Sequence, residues 1–297
     1  MNNFKNAVIV ILSLIILVQA AFLISLLSRR EQVRPRKVVK RATLVVPREV
    51  TRPAVKPPAP AAVPSEPAVK PIKGPAKIAI VLDDWGYNLK NRKFITDNDF
   101  RVTVSVLPFK TFSTTIAQLA YHKNKDIIIH MPMEPRNKEN YGLEEQTLLT
   151  TMDKRTLVRL LRDAEASVPY AKGLSNHMGS AATEDIVLMK TVMEYLKKRN
   201  LFFLDSLVTP RTVCKDTAEK LRVGFAARDV FIDNESDPVY IREQMLKLAK
   251  EAQRKGVAIG IGHDRPNTIS VLNEVIPVLQ AQGYQFINLS EAIKESH

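Results

Sequence analysis

Three histidines and a small group of acids in this chain stand at the ends of short apolar runs. Lys77 to Leu82 (KIAIVL) leads into Asp83-Asp84-Trp85-Gly86, and Asp126 to Ile129 leads into His130-Met131-Pro132-Met133-Glu134-Pro135. Gly173 to Asn176 leads into His177-Met178-Gly179-Ser180, Leu201 to Leu204 into Asp205-Ser206, and Val257 to Gly262 into His263. One carboxylate with two neutral imidazoles is a donor set suited to a zinc-class divalent cation with one coordination position left open. Adjacent carboxylates such as Asp83 and Asp84 repel each other, and burial sharpens the cost. A cation held by one would relieve it and leave the other to act as a base. The competing reading is that the pair caps the next helix or binds loop amides. His263 follows Gly260 and Gly262, small residues that leave room for an imidazole acting as general acid. Glu134 stands four residues after His130, between two prolines, and fits a metal ligand, a substrate ligand or the partner of an arginine. Asp205 reads either as orienting a histidine or as capping its loop. Ser180 follows Gly179, where a ligand can approach backbone N–H groups, but neither it nor Ser206 has the Gly-x-Ser-x-Gly setting of an esterase nucleophile. Taken together these residues describe a divalent-metal hydrolase. A carboxylate pair for glycoside hydrolysis, Asp83 or Asp84 with Glu134, is a further reading.

Groups so far apart in sequence meet only if their strands are parallel, because strand C-termini then share one face. The pattern from Lys77 onward meets that demand. Strands are expected at 77–82, 102–106, 126–130, 173–176, 201–204, 226–229, 257–261 and 285–288. Helices are expected near 88–97, 111–123, 153–167, 183–199, 214–222, 238–255, 267–282 and 290–295. Asp153, Thr183 and Asn267 are the expected N-caps, and Gly256 and Gly283 stand where helices should end. Alternating units of this kind predict an α/β fold, a β/α barrel or a close variant. Residues 135–151 form a long polar connection leaving the same face, a candidate lid or substrate loop.

The net charge of +13 is unevenly placed. Residues 1–76 carry 13 Lys/Arg against 3 Asp/Glu, whereas the remaining residues carry 31 against 28. The folded part is nearly balanced, which argues against a nucleic-acid partner. Ala7 to Leu27 is 21 residues without a charge, long enough to cross a bilayer as one helix. We expect residues 1–28 to be a membrane anchor, with cleavage after Val18-Gln19-Ala20 as the alternative. Residues 29–76 hold 10 of the 18 prolines and read as a basic, semi-rigid spacer. Their arginines and lysines would hold that flank in the cytoplasm under the positive-inside rule. Cys214 is the only cysteine, which excludes an intrachain disulfide and a Cys-based zinc cluster and reads as a core residue.

The motifs LDDWG, HMPMEP, NHMGS, LDS and IGIGH, in that order, resemble the divergent polysaccharide deacetylase family. This is a distant branch of the NodB-like deacetylases, and the resemblance covers residues 77–294. It implies a distorted (β/α) barrel over residues 77–297. It implies Asp83 as catalytic base, Asp84 and His130 as metal ligands, and His263 as the group that protonates the leaving amine. The family's metal motif has a second histidine four residues after the first. Glu134 occupies that place here, so we expect His177 to supply the third ligand. The resemblance further implies a divalent metal, zinc above all, an envelope polysaccharide or peptidoglycan as substrate, and a barrel facing the periplasm or cell exterior from a single-pass membrane anchor. The alternative is a non-catalytic barrel that binds glycan or a cell-wall protein partner.

Overall fold

The computed structural model describes residues 74–295 apart from Tyr141. The expected anchor lies outside the described residues, as does the linker up to residue 73. Among the described residues no helix is long and apolar enough to cross a membrane.

Among the described residues nine strands form one sheet. They are β1 (Lys77–Trp85), β2 (Thr103–Val106), β3 (Asp126–Met133), β4 (Gly173–Met178), β5 (Phe202–Asp205), β6 (Phe225–Ala227), β7 (Val230–Phe231), β8 (Val257–His263) and β9 (Gln285–Ile287). The order is β6-β5-β4-β3-β2-β1-β8-β7, with β9 paired to β1. All pairings are parallel. Lys77 pairs with both Val257 and Gln285, and Val81 with both Ile261 and Thr103. Hence β9 and β2 share one edge of β1, and β8 takes the other.

Side chains alternate between the two faces of a strand. Ile78, Ile80 and Leu82 join the large core beneath the helices, while Ala79 and Val81 join a smaller core with Ile128, Leu204, Ala226, Ile259 and Ile261. Inner faces of β1, β3, β5, β6 and β8 therefore meet, as in a barrel. Closure is incomplete, because β6 and β7 end the sheet without pairing to each other. The inner core is thin, and the last helix contributes Leu289, Ala292 and Ile293 to it.

Helices α1 (Arg92–Thr96), α2 (Ser113–His122), α3 (Lys154–Ser167), α4 (Ile186–Arg199), α5 (Cys214–Leu221), α6 (Pro238–Lys255), α7 (Pro266–Ala281) and α8 (Leu289–Glu295) fill the connections. The Asp153 side chain caps α3, accepting from Thr156 N–H at 2.7 Å. Thr183 is not a cap. It lies in a 3-10 turn with its hydroxyl on Gly179 O, and Asp185 caps α4 through Val187 and Leu188 N–H. Asn267 is not a cap either. Pro266, which has no N–H to satisfy, opens α7, and the Asn267 amide donates to Ser236 O at 2.7 Å. Gly256 ends α6 at φ 88°, and Cys214 is buried.

Candidate metal centre and its surroundings

The inward parity of the strands selects the site residues. Asp83 continues the Ala79–Val81 face of β1, His130 the Ile128 face of β3, and His263 the Ile259–Ile261 face of β8. His177 shares parity with Ser175, whose hydroxyl contacts that of Ser105 across the interior at 3.1 Å. Asp84 would point outward in a regular strand. Its φ of +67° and the irregular β1–β2 register between Leu82 and Trp85 turn it into the site instead. A non-glycine residue in this left-handed region costs about 1–3 kcal/mol and persists where surrounding structure enforces it.

Asp84, His130 and His177 converge, with one potential ligand atom from each within 4.8 Å of the others. His130 Nε2 lies 3.4 Å and His177 Nδ1 3.3 Å from Asp84 Oδ1. The two nitrogens are 3.2 Å apart. His130 Nδ1 is engaged by Ser175 Oγ at 2.8 Å, which leaves Nε2 for the cluster. Burial by itself would raise the Asp84 carboxyl, but the two imidazoles outweigh it and hold it well below its ordinary 3.8. The Asp84 Oδ1 atom is nonetheless buried without a well-formed hydrogen bond. An anionic oxygen and two imidazole nitrogens crowded together, the oxygen unsatisfied, fit a divalent cation with N/O preference.

Asp83 is buried beside this cluster, with Oδ1 also lacking a hydrogen bond and 3.5 Å from His130 Nδ1. Burial pushes its carboxyl up, against the pull of His130, His263 and the Ser105 hydroxyl. Asp83 and His263 are direct register partners across β1 and β8. Burial would lower the His263 imidazole, but the Asp233 carboxylate reverses the effect and raises it. Asp233 Oδ1 lies 2.7 Å from His263 Nδ1, and its Oδ2 accepts from His263 N–H and from the Thr268 hydroxyl. His263 Nε2 is thereby left for proton transfer. Asp233 escaped the sequence reading because the expected strand stopped at residue 229. The signal was present, since Val230-Phe231-Ile232 is one more apolar run ending in an acid.

The remaining candidates stand apart. Glu134 is not drawn to the histidines. Its Oε1 takes Lys138 at 2.8 Å and its Oε2 takes the Thr150 N–H and hydroxyl, so it pins both ends of the 135–151 connection. Both of its carboxylate oxygens are thereby engaged by that connection. Asp205 has outward parity, shared with Phe203 of the outer core. It caps its loop through Leu207 N–H and the Thr212 hydroxyl, and orients no histidine. Ser180 Oγ accepts from Arg136 N–H at 3.0 Å. The loop segment itself reaches the cleft through Glu144, which bonds Tyr87 and Lys110.

A family model described as divergent polysaccharide deacetylase matches residues 80–293. The uncharacterized protein YibQ of Escherichia coli (strain K12) is 36% identical over 200 residues, 67% of this chain and 62% of that protein. The chain thus spans under two thirds of that relative's length. An uncharacterized protein of Haemophilus influenzae is 36% identical over 197 residues, 66% of this chain and 70% of its own length. The crystal structure of the uncharacterized protein ATU2773 from Agrobacterium tumefaciens C58 superposes with a TM-score of 0.71 at 21% identity, covering 74% of this chain and 89% of that one. That likeness is one of fold. With its motifs, its parallel open barrel and a family match across nearly all the described residues, this chain belongs to the divergent polysaccharide deacetylase family.

Proposed function

We propose that this protein is a metal-dependent hydrolase that removes N-acetyl groups from an envelope polysaccharide or peptidoglycan. One observation carries the reading: Asp84, His130 and His177 crowd around a buried, unsatisfied carboxylate oxygen, with Asp83 and His263 facing each other beside it. Asp84, His130 and His177 would hold a zinc-class ion, which would supply Lewis acidity to polarise the acetyl carbonyl. Asp83, its carboxyl raised by burial, takes the proton from the attacking water. His263 is held by Asp233 with Nδ1 occupied, so Nε2 donates the proton to the departing sugar amine. The 21-residue apolar segment at 7–27 supports a membrane anchor, and the family resemblance supports an envelope-facing barrel.

The test uses the purified full chain, its metal content measured by mass spectrometry and acetate release followed on N-acetylated glycans. Asp84→Ala is expected to lose metal and activity together. His263→Ala is expected to keep the metal and lose turnover by about 100-fold or more. Wild type that holds no metal and releases no acetate with Zn²⁺, Co²⁺ or Ni²⁺ would return the protein to a glycan- or protein-binding barrel.

A further inference from the structure

The barrel is open where β6 and β7 fail to pair, yet His263 on the β8 side must face the metal ligands carried by β1, β3 and β4. The two-residue link between β6 and β7, Arg228-Asp229, spans this seam. Asp229 fastens to β8, its N–H donating to Ile259 O and its Oδ2 accepting from Ile259 N–H, both at 2.8 Å. Arg228 fastens in the other direction. Its Nε donates to Ser206 O at 2.8 Å and its Nη2 to Leu207 O at 3.1 Å, at the end of β5. Ser206 is itself tied to Asn176, the residue before His177, by its N–H at 2.9 Å and its hydroxyl at 3.0 Å.

The Arg228 guanidinium also lies over the Phe231 ring, 3.8 Å from its centroid, within the range of a cation–π contact. Phe231 is nearly coplanar in direction with His263, at 10° between planes and 6.1 Å between centroids. A continuous set of contacts therefore runs from His177 through Asn176, Ser206, Arg228 and Phe231 to His263. We infer that Arg228 and Phe231 are positioning residues: Arg228 bridges the unpaired seam, and through the flat stack on Phe231 it sets the His263 imidazole against the ligand cluster. Only a planar cation serves both contacts, since stacking and a fork of N–H donors are properties of guanidinium and not of ammonium.

The inference rests on His263 as the proton donor, and the experiment separates the two. Full chain labelled with ¹⁵N-histidine is prepared as wild type, Arg228→Lys and Phe231→Leu, and the His263 ring resonances are assigned by loss in His263→Ala. Both variants are expected to shift or broaden the His263 ring signals while metal content and the His130 signals stay as in wild type. The kcat for acetate release falls by about 10- to 100-fold, the scale of a small misplacement of a reacting group, with KM unchanged. Arg228→Lys does not rescue although it keeps the charge. If Arg228→Lys fails to fold, Phe231→Leu, which leaves the Arg228 hydrogen bonds in place, decides alone. Unchanged His263 signals in the folded variants overturn the inference. Signals that respond in a protein that releases no acetate leave the positioning role standing and refute the hydrolase.

Discussion

Asp83 and Asp84 are chemically identical neighbours with opposite environments. Asp84 faces two imidazoles and stays ionised, whereas Asp83 is pushed up by burial. Under the proposed hydrolysis, this difference in environment fits Asp84 as ligand and Asp83 as base, roles that composition leaves symmetrical. The His263–Asp233 pair has its own signature. His263, raised in the folded state, contributes stability that is fully present below its ordinary 6.5 and is lost as pH rises through its folded value. Burial would raise Asp233 as well, but its bonds to His263 and Thr268 hold it below 3.8. Its contribution is present above that value and lost as pH falls through the folded one. Asp233→Asn should therefore destabilise the protein by roughly 3 kcal/mol near neutrality and move the basic limb of the kcat–pH profile to lower pH. Denaturant titrations and a rate profile check both. An unmoved limb would mean that Asp233 does not govern the His263 proton.

At the scale of elements, alternation along strands decided which residues reach the interior. Asp83, His130, His177 and His263, nominated as strand-end residues, all carry an inward parity in the second half of their strands. The sequence left Asp205 between orienting a histidine and capping its loop, since parity is visible only when a neighbouring strand fixes which face is inward, and the structure shows the cap. Strand lengths were also underestimated: β1 runs to Trp85 and β3 to Met133, past polar residues that read as loop. Gly173, at the start of the strand carrying His177, is demanded by its neighbour. A Cβ there would come within 2.3 Å of the Phe202 ring and 2.8 Å of its carbonyl oxygen. Gly173→Ala is expected to cost about 1–3 kcal/mol, measured by denaturation, and to loosen the β4–β5 pairing seen by amide exchange.

The described residues form an open parallel barrel whose upper mouth collects the reactive groups and whose lower end is tied by polar contacts. Asp126, fully buried, takes Lys172 and the N–H of Ser290 at the start of α8, and Lys77 pairs with Glu295. Stability at the mouth should instead depend on the ion. A ligand bound only by the folded state stabilises by about 2.7 kcal/mol at 100 times its Kd. For a domain of this size that raises Tm by roughly 5–10 °C. Calorimetry with added Zn²⁺ should show this rise in wild type and none in Asp84→Ala. Equal shifts in both would place the ion elsewhere.

Parallel strands with helical crossovers, the run-then-acid motifs and the family were legible in the sequence, because hydrophobic period and local motifs are properties of adjacent residues. The chain order of Asp83, Asp84, His130, His177 and His263 sufficed to nominate them. What only the tertiary structure decided was convergence: the left-handed turn at Asp84, the pairing of Asp233 with His263, the withdrawal of Glu134 to Lys138 and Thr150, and the seam crossed by Arg228. Each depends on which strands lie side by side and on where the sheet fails to close, and those contacts join residues tens of positions apart that no local pattern relates.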